Sequence, residues 1–113
     1  MARKNPLKLN ALQLKTLTLL QQMARSPDHA QPGDDEGSVF VSNFPAAHGN
    51  HFHLGDAVVL ARDASGLANA NVFAILERKG LLRSVFPLGA TLTAEALAYD
   101  TGLTKKILHR SDH

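Results

Sequence analysis

Apolar residues in the first quarter of the chain recur at the spacing of one helix face: Leu12, Leu17, Leu19, Leu20 and Met23. Asn10 and Gln13 stand three residues apart, as in a capping box. Ser26 precedes a proline, which disfavours continuation of a helix. The pattern predicts an amphipathic helix over residues 10–25, with Gln21 on its solvent side.

Polar residues then dominate, and two short β-favouring segments follow. Residues 26–37 contain two prolines, two glycines and four acidic residues, which predicts a solvated acidic loop. Residues 38–42 are rich in β-branched and aromatic side chains, and residues 51–54 alternate polar and apolar positions. With the turn-forming residues 45–50 between them, we expect the two segments to pair as a β-hairpin.

Two further helices are predicted in the middle of the chain. Asp56 can cap a helix whose residues 57–61 are apolar nearly all round and which ends near Ala64. The next helix covers residues 69–79 and buries Val72, Phe73 and Leu76. Gly80 follows it, where a left-handed backbone costs glycine nothing.

The last third predicts a small hairpin and a fourth helix. Residues 81–86 and 90–92 favour strands, and Pro87-Leu88-Gly89 favours the turn between them. Thr93 is placed to cap a helix over residues 94–99. Residues 100–113 form a C-terminal extension whose pattern does not decide between helix and coil.

The order of these elements resembles that of the winged helix-turn-helix family. Residues 60–67 resemble its second helix and turn, residues 72–82 its recognition helix running into the first wing strand, and residues 92–99 the end of the wing and the next helix. The resemblance covers about residues 7–99. It implies a single α+β domain spanning residues 1–113: a three-helix core with a small β-wing, and an extra β-hairpin between helices 1 and 2.

The resemblance also implies a function, that of a small bacterial-type transcriptional regulator that binds double-stranded DNA. In DNA-binding members the third helix enters the major groove. By that analogy Asn69 and Asn71 would face base edges. Arg78, Lys79 and Arg83 would hold phosphates.

Composition and charge permit this function without demanding it. The 113 residues are 44% apolar and 19% charged, with a formal net charge of +2. That balance suits one globular domain and is only mildly basic. Cysteine is absent, which excludes disulfides and thiolate chemistry. No apolar run approaches the ~20 residues of a membrane span, and we expect a soluble cytoplasmic protein.

A second function class stays open on the same fold. The turn at residues 87–89 carries no basic residue, and neither does the start of the third helix. A winged helix with so few basic residues on its contact face suits a protein-interaction module that does not bind DNA. Such a module could form a homodimer through its first helix and its C-terminal extension.

Three histidines within six residues support a third hypothesis. His48, His51 and His53 are of the type that ligates divalent transition metals, and two of them share one face of a strand. Asp56 or the more distant His29 could complete the shell, and histidine also titrates near neutral pH. The alternative is that all three lie on the solvated face of a hairpin. No nucleotide-binding loop or nucleophile motif is present, so we expect no enzymatic activity.

Overall fold

The computed structural model describes residues 5–45, 49–54 and 57–110, which form a compact α+β fold. Within these ranges lie four α-helices: α1 (Ala11–Met23), α2 (Ala70–Arg78), α3 (Ala94–Ala98) and α4 (Thr104–Ile107). Seven strands accompany them: β1 (Ala30–Pro32), β2 (Val39–Ser42), β3 (His51–Leu54), β4 (Ala57–Leu60), β5 (Leu82–Ser84), β6 (Gly89–Leu92) and β7 (His109–Arg110). Two 3₁₀-helices, Ala61–Asp63 and Ser65–Ala68, connect β4 to α2.

Helix α1 is the central element of the core. The predicted capping box is confirmed: the Asn10 side chain accepts from the Gln13 backbone, and the Gln13 side chain accepts from the Asn10 backbone. The solvent-side position predicted for Gln21 is wrong, because this side chain is only 6% exposed. Its amide donates to the carbonyl oxygens of Ala96 and Tyr99, each at 2.8 Å. These bonds supply the partners that a buried amide needs.

The first sheet is antiparallel, with the strand order β1-β2-β6-β5. The predicted hairpin of residues 81–92 is confirmed as β5 and β6, in which Arg83 lies opposite Thr91. Strand β2 lies against β6, with Val41 opposite Ala90. The acidic segment 26–37 is not a loop throughout, because β1 forms within it at the edge of the sheet, where a proline is tolerated.

The second sheet corrects two predictions. Its strand order is β3-β4-β7, and His51 lies opposite Leu60. Residues 57–60, predicted as the second helix, are therefore a strand, because a short apolar run fits both structures and Val58-Val59 favours extended backbone. The hairpin predicted between residues 38–42 and 51–54 is also wrong, since β2 and β3 belong to different sheets. The predicted cap Asp56 lies outside the described residues.

Helix α2 matches its prediction closely. The Asn69 side chain caps its first turn, and Gly80 adopts φ of +82° just after its end. Val72, Phe73 and Leu76 are buried as expected. The Phe73 ring packs between Phe44 and Phe86, at centroid distances of 5.8 and 5.0 Å. These contacts fix the inner face of α2 and leave its opposite face outward.

The C-terminal part of the chain closes the fold. Thr93 caps α3 as predicted, accepting from the Ala96 backbone. The hydroxyl groups of Thr18 on α1 and Thr101 are hydrogen-bonded at 2.6 Å, and both residues are buried. The extension whose structure the sequence left undecided contains α4 and β7. No helix in the described part of the chain has the length and apolarity needed to cross a membrane.

Candidate nucleic-acid interface

The outward face of α2 is open to solvent along its whole length. Its exposed residues are Ala70, Asn71, Ala74, Glu77 and Arg78. Asn71 and Arg78 are seven residues apart, which places them two turns apart on one side of the helix. Ala70 and Ala74 have short side chains, so a flat or grooved partner can approach the helix backbone between the polar ends.

Asn69 serves the helix itself. Its side-chain oxygen accepts from the Asn71 backbone at 2.9 Å and from the Val72 backbone at 3.4 Å. These are two of the backbone N–H groups that a helix start leaves without intrahelical partners. The structure thus separates the two predicted base-facing residues, because Asn69 is engaged in the cap while Asn71 is exposed.

Arg78 and Lys79 are neighbours in sequence but differ in their surroundings. The Lys79 amine donates to the carbonyl oxygen of Leu7 at 2.9 Å, and the residue is half-buried. This bond joins the end of α2 to the segment before α1. Arg78 is exposed on the outward face. Of the two predicted phosphate contacts on α2, Arg78 is therefore the accessible one.

Arg83, on β5, faces the acidic segment 26–37. Its guanidinium lies 4.0 Å from an Asp34 carboxylate oxygen and 3.9 Å from an Asp35 carboxylate oxygen. The Arg83 side chain is 59% exposed, and exposed pairs of this kind contribute little to stability. The two carboxylates nevertheless lower the positive potential around Arg83, which is the third predicted phosphate contact.

The hairpin beside α2 ends in an apolar tip. Val85 is 52% exposed and Leu88 is 74% exposed, and these are the large exposed hydrophobic residues of the described chain. Two backbone hydrogen bonds close the turn: Val85 donates to the Gly89 carbonyl oxygen and Leu88 donates to the Val85 carbonyl oxygen, both at 2.9 Å. Glu77 accepts from the Ser84 backbone at 3.4 Å, which ties the hairpin to α2.

The sequence shows that this turn carries no basic residue, but it does not predict that Val85 is exposed. The exposure of Val85 follows from its place near the turn of the hairpin, where the next residue, Phe86, is the one that packs against Phe73 of α2. Long-range packing of this kind leaves no local signal in the sequence.

The structure brings together two of the three histidines of the proposed cluster. The rings of His51 and His53 lie 4.9 Å apart between centroids and are nearly perpendicular. His48 and Asp56 lie outside the described residues. The His29 ring is engaged elsewhere, where Nδ1 donates to the Asn43 carbonyl oxygen at 2.9 Å. Within 5–45, 49–54 and 57–110, no group of three or more histidine, aspartate or glutamate side chains could hold a metal ion.

The face formed by α2 and the β5–β6 hairpin thus presents two exposed polar residues, Asn71 and Arg78, beside an apolar tip. Its second arginine, Arg83, lies close to two carboxylates. Comparison with known proteins adds no further information on this surface. No family model, no curated protein and no solved structure matches the chain.

Proposed function

We propose that this chain is a winged-helix protein that binds double-stranded DNA, in the manner of a small bacterial-type transcriptional regulator. The order of α1, β2, α2, β5 and β6 supports the winged-helix arrangement, with the two 3₁₀-helices in the place of the second helix. Pairing of β2 with β6 holds the hairpin against the core beside α2.

One observation carries the DNA-binding proposal: α2 keeps its entire outward face exposed while a hairpin flanks it. The major groove, about 12 Å wide, admits a helix of this kind. Short side chains at Ala70 and Ala74 allow the helix backbone to lie close to the base edges. A helix that the rest of the chain covered could not dock in this way.

The five residues have different roles in the proposed DNA contact. Asn71, near the start of α2, contacts a base edge, since asparagine can bond to adenine N6 and N7. Arg78, two helical turns further along α2, holds one phosphate group. Arg83 holds a second phosphate once the DNA backbone displaces the carboxylates of Asp34 and Asp35. Asn69 and Lys79 position the helix from its two ends, because their side chains are already bonded to the protein.

A titration of fluorescent mixed-sequence duplex at several salt concentrations tests this proposal. We expect binding that weakens with salt, and Arg78→Ala should lower the slope of log K against log [salt] by about one unit. Arg25→Ala is the matched control, because Arg25 is an exposed arginine just past the end of α1. Absence of binding at low salt, or an equal loss in the control, contradicts the proposal.

The apolar tip of the hairpin favours one alternative, a protein-interaction module. Val85 and Leu88 together offer a hydrophobic contact that DNA binding does not require. Helix α1 buries most of its residues within the chain, so the tip is a better dimer contact than the first helix. Sedimentation equilibrium tests whether the chain self-associates through the tip. A dimer that Leu88→Ser dissociates supports the alternative. A monomer at all concentrations refutes self-association through the tip.

A further inference from the structure

A cavity lies on another part of the surface, away from the outward face of α2. It opens between the segment before α1, the residue that follows Gly80, and the C-terminal end of α3. Its volume is about 450 Å³. Small-molecule sites in proteins span roughly 300–1,000 Å³, so this cavity has room for a compact ligand.

The walls of the cavity are mainly apolar and are held in place. Leu7, Leu81, Ala98 and Tyr99 line it. The Tyr99 hydroxyl donates to the Asn5 side chain and accepts from the Leu7 backbone at 3.2 Å. With the Lys79 bond to Leu7, these contacts fix the wall from both sides. A ligand therefore meets a preformed surface, which reduces the entropy that binding would cost.

The charged residues that line the cavity, among those the structure describes, are both acidic, and the nearby Lys79 amine is bonded to the Leu7 carbonyl oxygen. Glu95 and Asp100 also line it, and both are exposed. None of the described residues that line it is basic. The Asp100 carboxylate is positioned by the Gly102 backbone, which donates to it at 3.0 Å. In a chain with a net charge of +2, this negative rim beside an apolar wall favours a cationic ligand.

We propose that this cavity binds a small amphipathic organic cation, an alkyl- or arylammonium compound. Its apolar body packs against Leu7 and Leu81, and its ammonium group faces Glu95 and Asp100. The Tyr99 ring adds a surface on which a cation can rest. The site shares no lining residue with the exposed face of α2, so the inference does not depend on DNA binding.

Titration of the ¹⁵N-labelled full-length chain with 2-phenylethylammonium chloride, followed by NMR, tests the site. We expect saturable shifts of the Leu7, Leu81, Ala98 and Tyr99 amides. The neutral analogue 2-phenylethanol is the matched ligand, since it keeps the ring and loses the charge. We expect it to bind about five-fold more weakly, the loss of a modest ion-pair contribution. Shifts that do not saturate, or equal binding of the two compounds, overturn the proposal.

Three variants assign the result to the cavity. Glu95→Gln combined with Asp100→Asn should weaken ammonium binding about five-fold and leave the alcohol unchanged. Asp28→Asn combined with Glu36→Gln removes two exposed carboxylates elsewhere and should change neither affinity. Ala98→Phe places a ring at the cavity wall and should weaken both ligands. An equal loss of ammonium affinity in the two double variants, or undiminished binding of the ligands to Ala98→Phe, also overturns the proposal.

Discussion

The Lys79 amine lies 2.9 Å from the carbonyl oxygen of Leu7, a residue 72 positions earlier in the chain. The contact fastens the end of α2 to the segment that precedes α1. It also gives two adjacent basic residues different tasks, since Arg78 remains exposed. The end of α2 is therefore held by a bond that lies outside its exposed face.

Replacing Lys79 should affect stability, and replacing Arg78 should not. Lys79→Met removes a charge-assisted bond to a half-buried carbonyl and should lower the free energy of unfolding by about 1 kcal/mol. Arg78→Met should leave that free energy unchanged, because exposed positions without specific contacts tolerate substitution. Urea denaturation followed by circular dichroism measures both. Equal effects in the two variants would refute the assigned roles.

Gln21 should be among the most sensitive polar positions in α1. Gln21→Leu leaves the Ala96 and Tyr99 carbonyl oxygens without the amide that donates to them, and should cost about 2 kcal/mol of unfolding free energy. Gln22→Leu is the matched control on a half-buried position and should cost much less. Thermal unfolding of the two variants provides the comparison, and a control as unstable as Gln21→Leu would count against this contact.

Replacing either of two glycines with alanine should lower the free energy of unfolding, but for different physical reasons. A Cβ at Gly66 would lie 1.8 Å from the Thr16 hydroxyl and 3.2 Å from its Cβ, so Gly66→Ala should cost about 1–3 kcal/mol by overpacking. A Cβ at Gly80 meets nothing within 4 Å, and Gly80→Ala should cost only the left-handed backbone, about 1 kcal/mol. Adding Thr16→Ala, which removes the hydroxyl that the new Cβ would meet, to each variant checks the distinction. It should partly rescue Gly66→Ala and leave the cost at Gly80 unchanged.

The ion pair between Lys15 and Asp63 should couple α1 to the 3₁₀-helix Ala61–Asp63. Its atoms are 2.9 Å apart, and the Asp63 side chain is 12% exposed. A double-mutant cycle with Lys15→Met and Asp63→Asn should give a coupling energy of about 0.5–1 kcal/mol at low salt. High salt should reduce it. Strictly additive effects would show that the pair does not contribute.

Local signals located the elements that are bounded by specific residues. Asn10 with Gln13, Gly80 and Thr93 each lie at a helix end and interact with neighbours a few residues away, so the sequence contains the whole interaction. The β5–β6 hairpin was predicted for the same reason. Asn69 caps α2 in the same local way, but the winged-helix resemblance implied a base contact for it instead. These elements set the position of α2 and of the hairpin beside it.

Elements that depend on distant partners were predicted less well. Residues 57–60 are apolar on both faces, which fits a helix or a buried strand equally, and the pairing with β3 and β7 decides the outcome. The helix prediction also takes Asp56 as a cap, whereas the sequence Gly55-Asp56 is equally typical of a two-residue hairpin turn. Gln21 was placed in solvent because its carbonyl partners lie at least 75 residues away.

The candidate site also has features that local sequence predicts and features that depend on distant contacts. The sequence located the helix, and the winged-helix resemblance implied the five contact residues Asn69, Asn71, Arg78, Lys79 and Arg83. Neither could show which of these side chains are already bonded within the protein. The bond from Lys79 to Leu7 and the approach of Asp34 and Asp35 to Arg83 are tertiary contacts. The cavity beside Leu81 is likewise assembled from residues near both ends of the chain.

NMR mapping of a short duplex onto the ¹⁵N-labelled chain tests the central claim most directly, because it locates the contact as well as detecting it. We expect the largest amide shifts at Asn71, Ala74 and Arg78, with smaller ones along β5. Shifts confined to residues away from α2, or an unchanged spectrum at low salt and excess duplex, would contradict DNA binding by this helix.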